Sequence, residues 1–470
     1  MNVRLALLGL LAAGACATGD AAKQSAPRDS GDVPADVRPG YGNGTLHTWW
    51  PLTLPETAAL HGLEQAKHGD AHALLALAVV ASGDRRDAAN HAAYQQSIDR
   101  FVAEVRPTID SAPDTWHKGY ELHRAMHRVF FAGGSGDLKG YDFYQSRITG
   151  IFAGGRYNCL SSAMLFAVLA RSFALPVRAV FVPTHVFIEM GEPGGKIIEV
   201  ETTSATGFDW IHDERFYKEE AANWSGQRGL RPVTLEEYQH RKIVEPHQLM
   251  ADAMSQVHRG ESDEDRKRLD ELAGVVDPDS PELQRARLGS YINEANDLSK
   301  RNAWRTVANM FDTVRPTVSE IGARSKDGKV LERVSWVTMY HAEALMVVGR
   351  QDEAIALMEE GIAQVDAGWP DGATLRKNYL GVLANRLVTL IDRRDYPTAV
   401  QAIAKHRDLC LSHEVCSQNA SIIYTNWSIE HGNKGDWISA RQVLRECLSQ
   451  LPDDKRCREA LADLESRHRF

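Results

Sequence analysis

Cys159, His185 and Glu201 follow one another along the chain as a thiol, an imidazole and a carboxylate. These are the residue types of a nucleophile, its base and the group that orients the base. Cys159 lies in "GRYNCLSSAMLFAVLARSF", residues 155–173, where Ala163, Leu165, Val168 and Leu169 line up at helical spacing. Gly154 and Gly155 make a loop before that run and set Cys159 in the first turn of the helix. A helix N-terminus offers unpaired N–H groups and partial positive charge, and an imidazolium offers a full charge; both stabilise a thiolate. The bland alternative for a lone thiol is a buried packing residue.

His185 supplies the missing base. It opens "HVFIEM", just after "PVRAVFVP" and before "GEPGG" and "KIIEVETT", so two strand-like runs flank a turn and predict a β-hairpin. A turn centred on Pro193 sets Met190 opposite Lys196, Phe187 opposite Glu199 and His185 opposite Glu201. Directly opposed residues on one face are about 5 Å apart at Cβ, within reach of a carboxylate–imidazole bond. Glu201 is therefore preferred over Glu199 and over Glu189, which lies farther along the strand of His185. His123 and His127, one turn apart in "GYELHRAMHRVFF", could share a metal. However, neither the glutamate of a zinc-protease helix nor a third ligand accompanies them, so exposed or capping roles are expected, with no metal and no cofactor.

The elements that must position these groups are helical before the cysteine and mixed after it. "LPETAALHGLEQAKHGDAHALLALAVVAS", "QQSIDRFVAEVRPTI" and "GYELHRAMHRVFF" carry apolar residues every three or four positions, and "TWWPLTLP" packs the start. Helices followed by a helix and antiparallel strands predict an α+β arrangement.

Cys159, Ala163, Arg171 and "ALPVR", residues 174–178, followed by "AVFVP", "HVFIEM" and "EVETT", resemble the core of the transglutaminase-like superfamily in order and spacing. That resemblance covers residues 150–210 and implies a papain-like fold with a Cys–His–acid triad: Cys159, His185 and Glu201. Glu201 stands where the family usually has Asp, "HVF" where "HAW" is frequent, and Asn158 where Gly often precedes the cysteine. The family chemistry would have Cys159 attack an amide carbonyl, with His185 as proton carrier and Glu201 orienting the ring. The Cys159 N–H would hold the oxyanion, with a second donor unassigned and Asn158 a guess. Hydrolysis is favoured over transfer to an amine, because water needs no second binding site.

At the level of the whole chain, 470 residues suggest two or three domains. A net charge of −9 disfavours nucleic acid or an anionic membrane surface as primary partner. "LALLGLLAAGACA" is shorter than the roughly 20 residues of a membrane span. Residues 1–16 resemble a bacterial lipoprotein signal that ends at a lipidated Cys16, and Ala17 favours the outer membrane, facing the periplasm; cleavage after Ala15 is the alternative. Residues 17–45 suit a flexible tether. Residues 46–240 then form the transglutaminase-like domain, helical over 46–149. An oxidising periplasm permits Cys410–Cys416 and Cys447–Cys457 to pair locally, against free thiols or crossed pairing, and leaves Cys159 over. Residues 244–470 are helical with an internal echo aligned at Val307, Ala354, Ala399 and Ala440, which resembles tetratricopeptide repeats and implies a concave surface for a protein partner. Two functions follow: a cysteine enzyme on amide bonds of a protein or peptide substrate, or a periplasmic interaction protein whose repeats work and whose triad is vestigial.

Overall fold

In the computed structural model of the chain, the described residues are 48–83, 88–131, 140–191, 195–209, 234–256, 262–366 and 372–468. Residues 1–45, where a signal ending at Cys16 and a tether are expected, lie outside them, as does Pro193. Among the described residues the protein is mostly helical with one four-stranded antiparallel sheet, an α+β composition with a helical C-terminal region.

Residues 48–294 and 317–330 form one compact unit. Helices α1 (Leu54–His61), α2 (Leu63–Lys67), α3 (Ala71–Ala81), α4 (Ala88–Asp110), α5 (Thr115–Phe130), α6 (Ile148–Gly154) and α7 (Cys159–Ser172) lead into the sheet. The sheet comprises β1 (Val177–Val182), β2 (His185–Met190), β3 (Ile198–Val200) and β4 (Lys242–Val244), in the order β3-β2-β1-β4. Between β3 and β4 lies the short α8 (Leu235–Gln239); α9 (Pro246–Gln256), α10 (Asp263–Val276) and α11 (Pro281–Lys300) follow β4. The N-terminal segment is tied down where the aromatic run predicts it. Trp50 stacks on Tyr291, and the N–H groups of Trp49 and Trp50 donate to the buried Glu271 carboxylate.

Alternation divides the sheet into two faces. Val177, Ala179, Val186, Ile188, Met190, Ile198 and Val200 join the main core with α7, which is buried along nearly its whole length. On the other face Val180 and Phe187 form a small cluster with Val182 and Tyr238. A helix buried on all sides cannot show an amphipathic stripe, which is why the run after Cys159 reads as almost uniformly apolar.

The second unit comprises residues 295–316 and 331–470, apart from the undescribed N-terminus. It takes in parts of α11 and of α12 (Trp304–Arg324) and α13 (Gly328–Val347). Then come α14 (Gln351–Asp366), α15 (Gly372–Arg393), α16 (Tyr396–Lys405), α17 (Arg407–Leu411), α18 (Glu414–Asn433), α19 (Trp437–Gln450) and α20 (Lys455–Arg467). The helices pack in series, α14 on α15, α15 on α18, α18 on α19 and α19 on α20. The echo positions Val307, Ala354, Ala399 and Ala440 are all buried. Cys410–Cys416 and Cys447–Cys457 are both disulfides, and Cys159 is the one free cysteine among the described residues. No helix among the described residues is long and apolar enough to cross a membrane.

Candidate functional site

The site begins at the cap of α7. Helix α6 ends at Gly155, whose φ of 66° is left-handed, the conformation that glycine adopts without penalty. The chain then turns back so that Cys159 is the first helical residue. Asn158 is the N-cap, and its Oδ1 accepts from the N–H groups of Leu160 (2.9 Å) and Ser161 (3.1 Å). The Ser161 hydroxyl accepts from the Asn158 N–H at 2.9 Å and completes a capping box. Ser162 N–H already bonds the Asn158 carbonyl at 3.0 Å. Of the first-turn donors, only the Cys159 N–H meets no acceptor among the described residues, and it is the one that belongs to the nucleophile candidate.

Asn158 is not a free oxyanion donor. Its Nδ2 group donates to the Phe143 carbonyl at 3.0 Å and to the Ser146 hydroxyl at 2.7 Å, so both of its hydrogens are committed. The residue that precedes the cysteine is a structural fastener: it caps α7 and pins the 143–146 segment beside it. Ser161 adds a second pin through the Gln145 carbonyl at 2.7 Å.

His185 enters β2 from the two-residue turn Pro183–Thr184, which joins it to its partner Val182. Thr184 takes φ 68°, a left-handed conformation that costs an L-residue about 1–2 kcal/mol, so strain is stored next to His185. The register of β2 with β3 differs from the expectation. Ile188 pairs with Val200, Glu189 with Glu199 and Met190 with Ile198, two residues away from pairing about Pro193. Glu199 therefore opposes Glu189 rather than Phe187, and Met190 does not face Lys196. A shift of two preserves the face of every side chain, so Glu201 still lies on the side of His185 and reaches it diagonally. His185 Nε2 and Glu201 Oε2 are 2.5 Å apart.

Glu201 is fully engaged. Its Oε1 accepts from the Thr203 N–H at 2.9 Å and from the Thr203 hydroxyl at 2.5 Å. Glu201 N–H bonds the Gly207 carbonyl at 2.8 Å, and a Cβ at Gly207 would lie only 2.5 Å from the Glu201 carbonyl oxygen. This tight loop carries the acid just past the end of β3.

Burial opposes charge on His185, but the Glu201 carboxylate and the neighbouring Cys159 side chain outweigh it and raise the imidazole to about 10. Burial likewise opposes charge on Glu201, and the imidazole together with the Thr203 donors overcomes it and keeps the carboxyl low. The pair is thus an imidazolium–carboxylate ion pair at neutral pH. With Nε2 taken by Glu201, Nδ1 is the ring nitrogen left over for the neighbouring Cys159 side chain, and it is buried. Cys159 itself is half-buried. Glu199 serves elsewhere: the Tyr238 hydroxyl donates to it. Burial pushes it up to about 7, Arg241 opposes that, and Glu189 and Asp209 add to it.

His123 and His127 are neither exposed nor capping; both are buried on the face of α5 turned toward α7 and residues 201–203. Other contributors that pattern reading passes over are Thr203, Ser162, Thr202 and Tyr157. The Ser162 and Thr202 hydroxyls meet at 2.7 Å, and the Tyr157 hydroxyl donates to the Thr203 carbonyl at 3.3 Å. "CLSS" and "ETTS" carry the only signal, hydroxyls adjacent to triad candidates. No third ligand joins the two histidines into a metal site among the described residues. The one cluster with metal-ligand spacing among the described residues, Cys447, Asp454 and Cys457, already holds its cysteines in a disulfide. No model of a known protein family matches the chain, and comparison with curated proteins finds no match.

Proposed function

We propose that the protein is a transglutaminase-like cysteine enzyme that attacks amide bonds of a protein or peptide. The supporting observation is a buried imidazole held at 2.5 Å by Glu201 and biased by the side chain of Cys159, the first residue of a capped helix. Cys159 Sγ attacks the amide carbonyl carbon, and its proton resides on His185 Nδ1. The tetrahedral oxyanion is met by the Cys159 N–H, the donor that the cap leaves over. Collapse breaks the C–N bond, and His185 returns the proton to the departing amine. Water then attacks the thioester, gives its proton to His185 and regenerates the thiol with release of a carboxylic acid. A primary amine in place of water would give a new amide, and hydrolysis is the favoured outcome. Export, a lipid anchor at Cys16 and a protein partner on the tetratricopeptide-like helices belong to the same proposal.

The full chain is incubated with casein in heavy-oxygen water plus a fluorescent primary amine, beside its Cys159→Ala variant. Cys159-dependent heavy oxygen in new carboxyl groups, without amine labelling, is the expected result; amine labelling would make the protein an acyltransferase. Neither label in the wild-type chain would favour the interaction protein with a vestigial triad.

A further inference from the structure

Residues 201–203, which carry the acid, lie outside regular strand or helix, and side chains from α5, from α7 and from the segment just before α7 grip all three. His123 Nε2 donates to the Glu201 carbonyl at 3.3 Å, His127 bonds the Thr202 backbone, Ser162 holds the Thr202 hydroxyl, and Tyr157 holds the Thr203 carbonyl. His123 is fully buried between Phe166 and Phe208, with its ring edge-on to His127. Burial, aided by His127, lowers it to about 3, so the ring is neutral and has a single N–H. That N–H goes to Glu201, and Nδ1 is buried without a hydrogen-bond partner among the described residues. An orphaned buried acceptor costs stability, which a phenyl ring in this aromatic pocket would not. Packing alone does not account for a histidine here; the bond to Glu201 does.

We propose that His123 is a positioning residue. Its neutral imidazole fixes the Glu201 carbonyl, so that the carboxylate of the same residue meets His185, and it thereby sets the reactivity of Cys159. The proposal rests on the Cys159–His185–Glu201 assignment, and its test keeps the two apart. Iodoacetamide alkylation at the peptide carrying Cys159 is measured at pH 6 in the full chain, together with the thermal midpoint. His123→Phe keeps the ring and loses the donor, His123→Gln restores an amide N–H near the place of Nε2, and Glu201→Gln is the reference. H123F is expected to slow alkylation on the order of five- to tenfold, what one hydrogen bond is worth. Its midpoint should be unchanged or higher, and H123Q should recover most of the rate.

Wild-type reactivity in H123F beside a slowed E201Q would overturn the proposal and leave the triad standing. Unchanged rates in both would remove the triad assignment, and the proposal with it. Equal slowing in H123F and H123Q would assign the effect to packing and also overturn it. If H123F does not fold, His123→Leu takes its place with the same expectation, and failure of both to fold would make His123 a core residue only.

Discussion

Replacing Glu201 by glutamine changes one atom, and the structure says where that atom must go. Thr203 presents two donors to Oε1, its N–H at 2.9 Å and its hydroxyl at 2.5 Å, so the glutamine oxygen stays on that side. The amide nitrogen then takes the place of Oε2, 2.5 Å from His185 Nε2. Two donors cannot share that contact, so Nε2 must become an acceptor and the ring proton moves to Nδ1. A protonated Nδ1 on a neutral ring cannot take the thiol's proton, and no carboxylate remains to balance an imidazolium if one forms. A hydrogen bond to a charged group is worth about 1.5–3 kcal/mol, hence a roughly 10- to 100-fold loss of reactivity. The assay is the second-order rate of Cys159 alkylation by iodoacetamide at pH 6, read at the Cys159 peptide. Glu201→Asp keeps the charge on an arm one methylene shorter and should fall between. An E201Q rate equal to wild type would refute the orienting role.

The ion pair also predicts a pH window for stability. His185 is raised, so its contribution is complete below its ordinary 6.5 and fades as pH climbs toward about 10. Glu201 is lowered, so its share is complete above its ordinary 4.5 and fades as pH falls through the native value. The difference in thermal midpoint between wild type and a His185→Gln/Glu201→Gln double variant should peak between those two values; a flat difference from pH 4 to 10 would contradict this. Gly207→Ala places a Cβ 2.7 Å from the Cβ of Glu201, so the acid must move. Alkylation should slow, and stability should fall by about 1–3 kcal/mol, the usual cost of overpacking. The two disulfides close loops with separations of 6 and 10 residues, worth about 2 and 3 kcal/mol by loop entropy. Reductant should lower the melting of the helical unit while Cys159 alkylation is unchanged, and identical melts would count against both estimates.

Much of the site is legible in the sequence because it rests on local patterns. A glycine pair before an apolar run marks the start of α7, and β-branched alternation marks β1 and β2 to within a residue or so. Register is not local. It depends on the residues between Met190 and Ile198, and at Gly191 the chain takes φ 135° with a backbone approach that would leave a Cβ 2.5 Å from the Lys196 carbonyl. The pairing lies two residues from the symmetric guess, and the His185–Glu201 contact survives because strand faces repeat every second residue. Asn158 and His123 misled for a related reason: a polar residue's role depends on what it meets. The partners of Asn158 lie 12 and 15 residues away, and the carbonyl that His123 holds lies 78 residues away. Burial of both histidines of α5 is invisible to periodicity, because apolar and neutral imidazole faces pack alike.

The most direct measurement compares Cys159 alkylation at pH 6 in the folded chain with the same peptide in the unfolded chain, beside a His185→Gln variant. A thiol paired with His185 should react faster folded than unfolded by roughly tenfold or more, and H185Q should erase the gain. Equal or slower reaction in the folded protein, or an H185Q variant as reactive as wild type, would contradict a nucleophilic Cys159.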